Sequence, residues 1–306
     1  MESTITRVGL VVLTLVAAVA GLCVAALWTP PAPQLPGVAV VSDFPNGFLV
    51  PGHGPLASLQ ESPRGQRGYR GRAQDQEILD QDVERKPYHE FYFTRAVYSG
   101  DIRRRWGSWA TDFPKADRQF LYVIGRTLEF LDLYEHENPV RLDDPALLDF
   151  PFLYALEVGG MNLTQPEVDG LREYLERGGF LVIDDFWGTW QWEHFENEIR
   201  KVFPDRPIVE LTTEHELFNA FYEIKEIIQV PSVARARRGG PTWEQDGYEA
   251  HVRGIFDDHG RLMVVINWNT DLGDAWEWSE NPGYPFEYSN FAHKLGVNFI
   301  IYSMTH

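Results

Sequence analysis

Two adjacent carboxylates, Asp184 and Asp185, directly follow a short apolar run at residues 180–183 that is typical of a buried strand. Parallel strands deliver their last residues to the edge of a sheet where ligands bind. Glu157 ends the preceding predicted strand, so we expect it at the same edge. Carboxylates so placed can bind Mg²⁺ or Ca²⁺ through oxygen, or share the acid and base roles of a hydrolase. The alternative is that they cap the following turn or pair with Arg95.

Four further side chains are candidates for binding. Arg95 follows an apolar strand and can hold an anionic ligand bidentately, or form a salt bridge to the aspartates. His215, at the start of a predicted helix, suits a general base or a metal ligand, although a surface histidine near a helix cap is the favoured interpretation. Trp187 follows the aspartates, and Asp271 lies among further tryptophans. Indoles beside carboxylates form surfaces for sugar stacking or partner docking; the alternative is an aromatic lid packed over the sheet.

Several classes of chemistry are excluded or disfavoured. Cys23 is the only cysteine and lies in an apolar N-terminal segment, so the rest of the chain has no thiol nucleophile and no internal disulfide. The His-Glu-x-x-His pair, the Gly-x-Ser-x-Gly elbow, the Walker A sequence and the dinucleotide fingerprint are all missing from the sequence. A formal net charge of −18 disfavours binding to nucleic acid, whose phosphates it would repel.

Strands and helices alternate along the second part of the chain. We predict strands at residues 90–97, 150–156 and 180–183, and a helix at 118–131. Thr164 and Glu167 form a capping box that opens another helix, which Gly178 ends. Strand, helix and strand in succession imply right-handed crossovers and parallel pairing. The predicted fold is therefore an α/β three-layer sandwich with a mainly parallel central sheet.

The remaining predicted elements complete this domain. They are helices at 195–202 and 214–222, a strand at 207–211, a hairpin of strands 248–256 and 261–267, and a last helix that Ser289 caps. Residues 87–306 form the domain. Residues 29–86 are rich in Pro, Gly and Arg and are predicted to be a linker, because such a composition buries too little apolar surface to fold.

Residues 1–28 are predicted to be a transmembrane anchor. The stretch 8–28 is uncharged and apolar, and at about 1.5 Å per residue it can cross a hydrocarbon layer about 30 Å thick. A cleaved signal peptide would have a shorter apolar region, and a lipoprotein would carry a small residue, not Leu22, before its cysteine. Arg7 precedes the stretch, which predicts a cytoplasmic N-terminus and a periplasmic or extracellular main domain.

Five motifs resemble a known bacterial family. They are FYFTR at 91–95, FPFLY at 150–154, GGFLVIDD at 178–185, DLGDAWE at 271–277 and LGVNFIIY at 295–302. Over about residues 88–306 the chain is similar to proteins grouped as domain of unknown function 4159. This family resembles, more distantly, the class I glutamine amidotransferase-like, flavodoxin-like fold, whose nucleophile is a cysteine. Because the predicted domain has no cysteine, the resemblance implies the fold without glutaminase activity.

The resemblance also implies a setting, since family members tend to be encoded near MoxR-type ATPases and von Willebrand A-domain proteins. We therefore expect a membrane-anchored, extracytoplasmic ligand- or partner-binding module of an envelope complex. The missing catalytic motifs favour binding over catalysis. The alternatives are a metal- or carboxylate-assisted hydrolase acting on envelope glycans and a purely structural subunit. The ligand-binding candidates are Arg95, Glu157, Asp184, Asp185, Trp187, His215 and Asp271.

Overall fold

The computed structural model describes residues 89–100 and 108–306. The predicted anchor at 1–28 and the predicted linker at 29–86 both lie outside these residues. A helix with the length and hydropathy of a membrane span is absent from the described ranges.

A seven-stranded sheet forms the centre of the domain. Its strands are β1 (Thr94–Val97), β2 (Asn138–Arg141), β3 (Phe152–Leu156), β4 (Phe180–Asp184), β5 (Val209–Glu210), β6 (His251–Phe256) and β7 (Leu262–Trp268). They lie in the order β2-β1-β3-β4-β7-β6-β5. The first five in this order are parallel, β6 is antiparallel to β7, and β5 is antiparallel to β6. The predicted α/β fold with a mainly parallel sheet is confirmed.

Helices pack on both faces of the sheet. They are α1 (Lys115–Thr127), α2 (Gln165–Glu176), α3 (Gly188–Val202), α4 (Val233–Ala236), α5 (Leu272–Glu277) and α6 (Phe286–Thr305), with 3₁₀ turns at Pro145–Asp149, Val158–Gly160 and Glu216–Asn219. Side chains alternate along β4, so that Val182 joins an apolar cluster with α1, α5 and α6, whereas Leu181 and Ile183 join the cluster of α2 and α3. Apolar side chains on both faces make β4 a fully buried strand.

The predicted caps of α2 are present. The Glu167 carboxylate accepts a hydrogen bond from the Thr164 N–H at 2.8 Å, and its other oxygen accepts one from the Ser99 N–H at 2.7 Å. The same residue thereby begins the helix and ties it to the end of β1. Gly178 turns the chain out of the helix with φ +109°.

Several predicted boundaries are wrong. The strand at 90–97 forms only at Thr94–Val97, α1 ends at Thr127, and the last helix begins at Phe286, not after Ser289. The helix at 214–222 is only a 3₁₀ turn, because the Asn298 side-chain oxygen accepts hydrogen bonds from the N–H groups of Phe221 (3.1 Å) and Tyr222 (2.7 Å). A tertiary contact thus replaces the intrahelical bonds that a longer helix needs.

Gly170 in α2 marks a close approach that we expect to be sensitive to substitution. An added Cβ would lie 2.1 Å from the Leu142 backbone oxygen, so Gly170→Ala must push two elements apart. We expect a loss of about 1–3 kcal/mol in the free energy of unfolding. Gly240→Ala is the matched control, since nothing lies within 4 Å of its Cβ position. Chemical denaturation of both variants measures the difference, and equal stabilities would contradict the close packing.

Candidate functional site

The carboxyl ends of β3, β4 and β7 bring the predicted carboxylates together. β3 and β4 end in register, with Leu156 opposite Asp184. The Glu157 N–H donates to the backbone oxygens of Asp184 (3.2 Å) and Asp185 (3.1 Å), and the Asp185 N–H donates to the Thr270 oxygen after β7 (3.2 Å). We call this edge the acidic rim and define it by the side chains of Asp112, Glu157, Asp184, Asp185, Asp271 and Asp274.

The backbone of the acidic rim is strained. Asp112 (φ 60°), Glu157 (φ 53°), Asp185 (φ 49°) and the neighbouring Asn269 (φ 61°) all adopt left-handed conformations. Asp and Asn tolerate this region, but a glutamate there is uncommon. Each such residue costs about 1–3 kcal/mol, and strained residues cluster at functional sites. The rim is therefore held in a conformation that local sequence preference alone would not select.

Asp184 is a fully buried member of the acidic rim. Its Oδ2 accepts hydrogen bonds from the Tyr154 hydroxyl (2.7 Å) and from the N–H groups of Leu272 (2.9 Å) and Gly273 (3.1 Å). Its Oδ1 is buried and has no hydrogen-bond partner among the residues that the structure describes. Burial raises the pKa of Asp184 to about 7, although these hydrogen bonds lower it. A buried carboxylate oxygen without a hydrogen-bond partner is uncommon and requires an explanation.

Asp185 is buried beside further negative charges. Its Oδ1 accepts a hydrogen bond from the Trp187 indole N–H at 3.0 Å. Burial raises the pKa of Asp185 well above its usual range, and the charges of Glu157, Asp112 and Asp184 raise it further. Trp187 itself is buried, which agrees with the alternative of an aromatic side chain packed over the sheet. Its contribution to the site is the hydrogen bond from its indole N–H to Asp185.

Asp271 and Asp274 lie at the start of α5, directly after β7. The Asp274 N–H donates to Asp271 Oδ1 at 2.7 Å, which caps the helix. Burial raises the pKa of Asp271 well above its usual range, and the negative charges of Asp185, Asp274 and Asp112 raise it further. One carboxylate oxygen each from Asp112, Asp271 and Asp274 lie within 4.8 Å of one another, a spacing that a metal ion can bridge.

Arg95 lies outside this cluster. Its side chain is fully buried and pairs bidentately with Asp117 of α1, with Nε 3.1 Å from Oδ2. Its Nη1 donates to the backbone oxygens of Trp109 (3.2 Å) and Thr111 (3.1 Å). The alternative in which Arg95 pairs with Asp184 or Asp185 is wrong, because Asp117 occupies its guanidinium. Arg95 instead fixes the loop that carries Asp112.

His215 lies at the opposite edge of the sheet. Its ring Nδ1 accepts a hydrogen bond from the Leu217 N–H at 3.2 Å, and the ring packs 5.8 Å from that of Phe256, at the end of the antiparallel strand β6. Because β6 runs against β7, this end of β6 meets the amino ends of the parallel strands. The structure therefore separates His215 from the carboxylates, and its cap contact agrees with the structural alternative.

Exposed aromatic side chains lie beside the acidic rim. Tyr248 is 65% exposed and packs edge to face with Trp243, at 5.7 Å between ring centroids, while Trp190 is exposed in the first turn of α3. Asp246, in the same loop as Tyr248, accepts a hydrogen bond from the Thr189 N–H at 2.9 Å. We call residues 243–248 the aromatic loop. This hydrogen bond connects it to α3, the helix that follows Asp184 and Asp185.

The sequence reasoning missed Asp112 and gave no role to Asp274. Asp112 lies in a loop with no strand or helix pattern of its own, and only its contact with α5 reveals it: an added Cβ at Gly273 would lie 3.0 Å from Asp112 Oδ2. Asp274 was visible in the DLGDAWE motif, where two aspartates three residues apart indicate a helix start.

Comparison with known proteins identifies the family. No curated protein matches the chain. A family model described as "Domain of unknown function (DUF4159)" matches residues 94–304, which include every described strand and the whole acidic rim. The match covers more than half of the chain and agrees with the five motifs found in the sequence. The chain therefore belongs to the domain of unknown function 4159 family.

Proposed function

We propose that the domain is the ligand-binding module of an envelope complex, anchored by residues 1–28 with residues 87–306 outside the cytoplasm. The observation that carries this proposal is the acidic rim, where carboxylates from three strand ends and one loop meet on strained backbone. The usual catalytic motifs are absent from the sequence, which favours binding over catalysis. Nucleic acid is an unsuitable ligand for a chain with a formal net charge of −18.

The proposed ligand is a hydroxyl-rich envelope glycan. Carboxylates accept hydrogen bonds from hydroxyl groups, and the exposed rings of Trp190, Trp243 and Tyr248 offer apolar faces on which sugar rings stack. Trp243 and Tyr248 are in contact with each other, and grouped exposed apolar side chains mark binding sites more often than single ones do. The ligand would therefore bind across the rim and the aromatic loop.

The flavodoxin-like, glutamine amidotransferase-like fold that the family resemblance implies supports the same location. The parallel strands lie in the order β2-β1-β3-β4-β7, which is the flavodoxin-like order when β7 is counted as the fifth strand. In such sheets, ligands bind at the switch point between the first and third strands. Asp112 follows β1 and Glu157 follows β3, so the acidic rim borders this point. Without a cysteine in the domain, glutaminase chemistry is not part of the proposal.

Site-specific photocrosslinking in the native envelope tests the proposal. A benzophenone amino acid replaces Tyr248 in the full-length chain, and the same residue replaces Phe130 in the control. Phe130 is 60% exposed and lies between α1 and β2, at the opposite edge of the sheet. We expect a glycan adduct from position 248 and none from position 130. No adduct at 248, or the same adduct at both positions, would contradict the proposal.

A carboxylate-assisted glycan hydrolase is the second candidate. The observation in its favour is that burial raises the pKa of Asp184 to about 7 and raises the pKa of Asp185 well above its usual range. A carboxyl group that keeps its proton near neutral pH can act as a general acid. A hydrolase would release soluble sugar from isolated envelope glycan, and Asp185→Asn would abolish the release while the protein stays folded. Release that is equal in both proteins, or absent from both, would exclude this function.

A further inference from the structure

Three carboxylates of the acidic rim lie unusually close together. Oxygens of Asp112, Asp271 and Asp274 are within 4.8 Å of one another, and Asp271 and Asp274 are buried. Proximity of acidic groups alone does not make a metal site, because helix caps and turns also gather aspartates. Part of this cluster has that explanation, since Asp271 accepts a hydrogen bond from the Asp274 N–H at 2.7 Å.

A fourth carboxylate supplies an independent observation. Asp184 is fully buried, and its Oδ1 has no hydrogen-bond partner within residues 89–100 and 108–306. Its Oδ2 accepts from the N–H groups of Leu272 and Gly273, so the carboxylate lies against the same helix start that carries Asp271 and Asp274. A buried oxygen without a donor is costly, and capping does not explain it.

Gly273 joins the four carboxylates into one arrangement. Its N–H donates to Asp184 on one side, at 3.1 Å. A Cβ added there would lie 3.0 Å from Asp112 Oδ2 and 3.7 Å from Asp271 Oδ1. The absence of a side chain at Gly273 therefore lets Asp112 and Asp271 approach the backbone to which Asp184 is bonded. Oxygen atoms of Asp112 and Asp271 therefore lie close to the Gly273 backbone, whose N–H binds the Asp184 carboxylate.

Neighbouring groups hold the carboxylates in place. The Val233 N–H donates to Asp274 Oδ2 at 2.7 Å, and the Trp278 indole N–H donates to Asp274 Oδ1 at 3.2 Å. Arg95 holds the backbone of Trp109 and Thr111, directly before Asp112. Such outer contacts orient metal ligands and are needed for affinity. In the described part of the chain, Asp184, Asp185 and Asp271 form no ion pair that would neutralise them.

We propose that Asp112, Asp271 and Asp274 bind one divalent cation of the hard, oxygen-preferring class, Mg²⁺ or Ca²⁺, with Asp184 beside it. The inference rests on the proposed function in one respect. A cation that keeps open coordination positions gives an acidic rim a means of holding the hydroxyl groups of a glycan. The cation itself binds without the glycan, so the two proposals can be tested separately.

Thermal unfolding of the full-length chain in detergent is the test, after removal of metal by a chelator. Added Ca²⁺ or Mg²⁺ should raise the Tm by several degrees, in proportion to the logarithm of its concentration, because it binds only the folded state. Asp112→Asn should lower the affinity by about tenfold or more. Asparagine tolerates the left-handed backbone at this position, so the variant keeps the loop conformation.

Asp149→Asn is the matched control, an exposed aspartate before β3 at the opposite edge of the sheet. It should keep the full response to the cation. Titration calorimetry of wild type and Asp274→Asn gives a second measurement if Asp112→Asn does not fold. No stabilisation and no heat with either cation, or equal affinity in wild type and the folded rim variants, would overturn the inference. Cation binding without a crosslink at position 248 would refute the proposed function alone, whereas a crosslink without cation binding would refute only this inference.

Discussion

Replacing Arg95 by methionine is expected to lower the free energy of unfolding by about 3–5 kcal/mol. Arg95 and Asp117 are both fully buried and form a bidentate ion pair between β1 and α1. Methionine fills much of the same volume but leaves the Asp117 carboxylate buried without its counter-charge. The substitution also leaves the backbone oxygens of Trp109 and Thr111 without their shared donor. Denaturant unfolding measures the loss.

The double variant Arg95→Met with Asp117→Leu separates charge from packing. It removes both charges, so we expect it to recover part of the stability that the single change loses. The recovery is incomplete because the loop before Asp112 still lacks its donor. A loss of less than about 1 kcal/mol in Arg95→Met, which is the range of exposed pairs, would show that this ion pair does not hold the domain together.

The pH dependence of stability is expected to change in Asp184→Asn. Burial raises the pKa of Asp184 from 3.8 to about 7, so the folded state binds this proton more tightly than the unfolded state does. The contribution of Asp184 is therefore most favourable below about pH 4 and is lost as the pH rises to about 7. Over this window wild type should lose up to about 4 kcal/mol relative to Asp184→Asn. Denaturant unfolding across the window, with a chelator present, measures the difference.

Asp143→Asn is a control in which the pH dependence of stability is expected to have the opposite sign. A hydrogen bond from Arg141 lowers the pKa of Asp143, so its stabilising contribution is present at neutral pH and is lost only in acid. Asp143 is largely exposed, and its effect should be small. If the difference between wild type and Asp184→Asn stayed constant from about pH 4 to pH 7, the Asp184 carboxyl would not be titrating in this window.

Local signals in the sequence predict much of the fold. The capping box of Thr164 and Glu167, the glycine that ends α2 and the turn between β6 and β7 all depend on residues close together in the chain. The position of β7 beside β4 cannot be predicted from local signals, because it pairs segments about eighty residues apart. The short turn at Glu216–Asn219 also depends on a long-range contact, since the distant residue Asn298 ends it.

The candidate site is predictable only where strand direction determines it. Asp184, Asp185 and Glu157 meet because parallel strands end at one edge, which the sequence pattern indicates. The location of Asp112 depends on the buried contacts of Arg95 with the loop before it, and no pattern in that loop reveals them. Residue type alone does not locate His215, because a histidine at a helix start has the same appearance at either edge of the sheet.

Anomalous diffraction from crystals soaked in Mn²⁺, which prefers the same oxygen ligands, determines whether a cation binds at the acidic rim. We expect one peak between the carboxylates of Asp112, Asp271 and Asp274, about 2.0–2.6 Å from their oxygens. That peak should be missing from crystals of Asp112→Asn and present in those of Asp149→Asn. Peaks only at other surface carboxylates, with none at the acidic rim, would show that the rim is not a cation site.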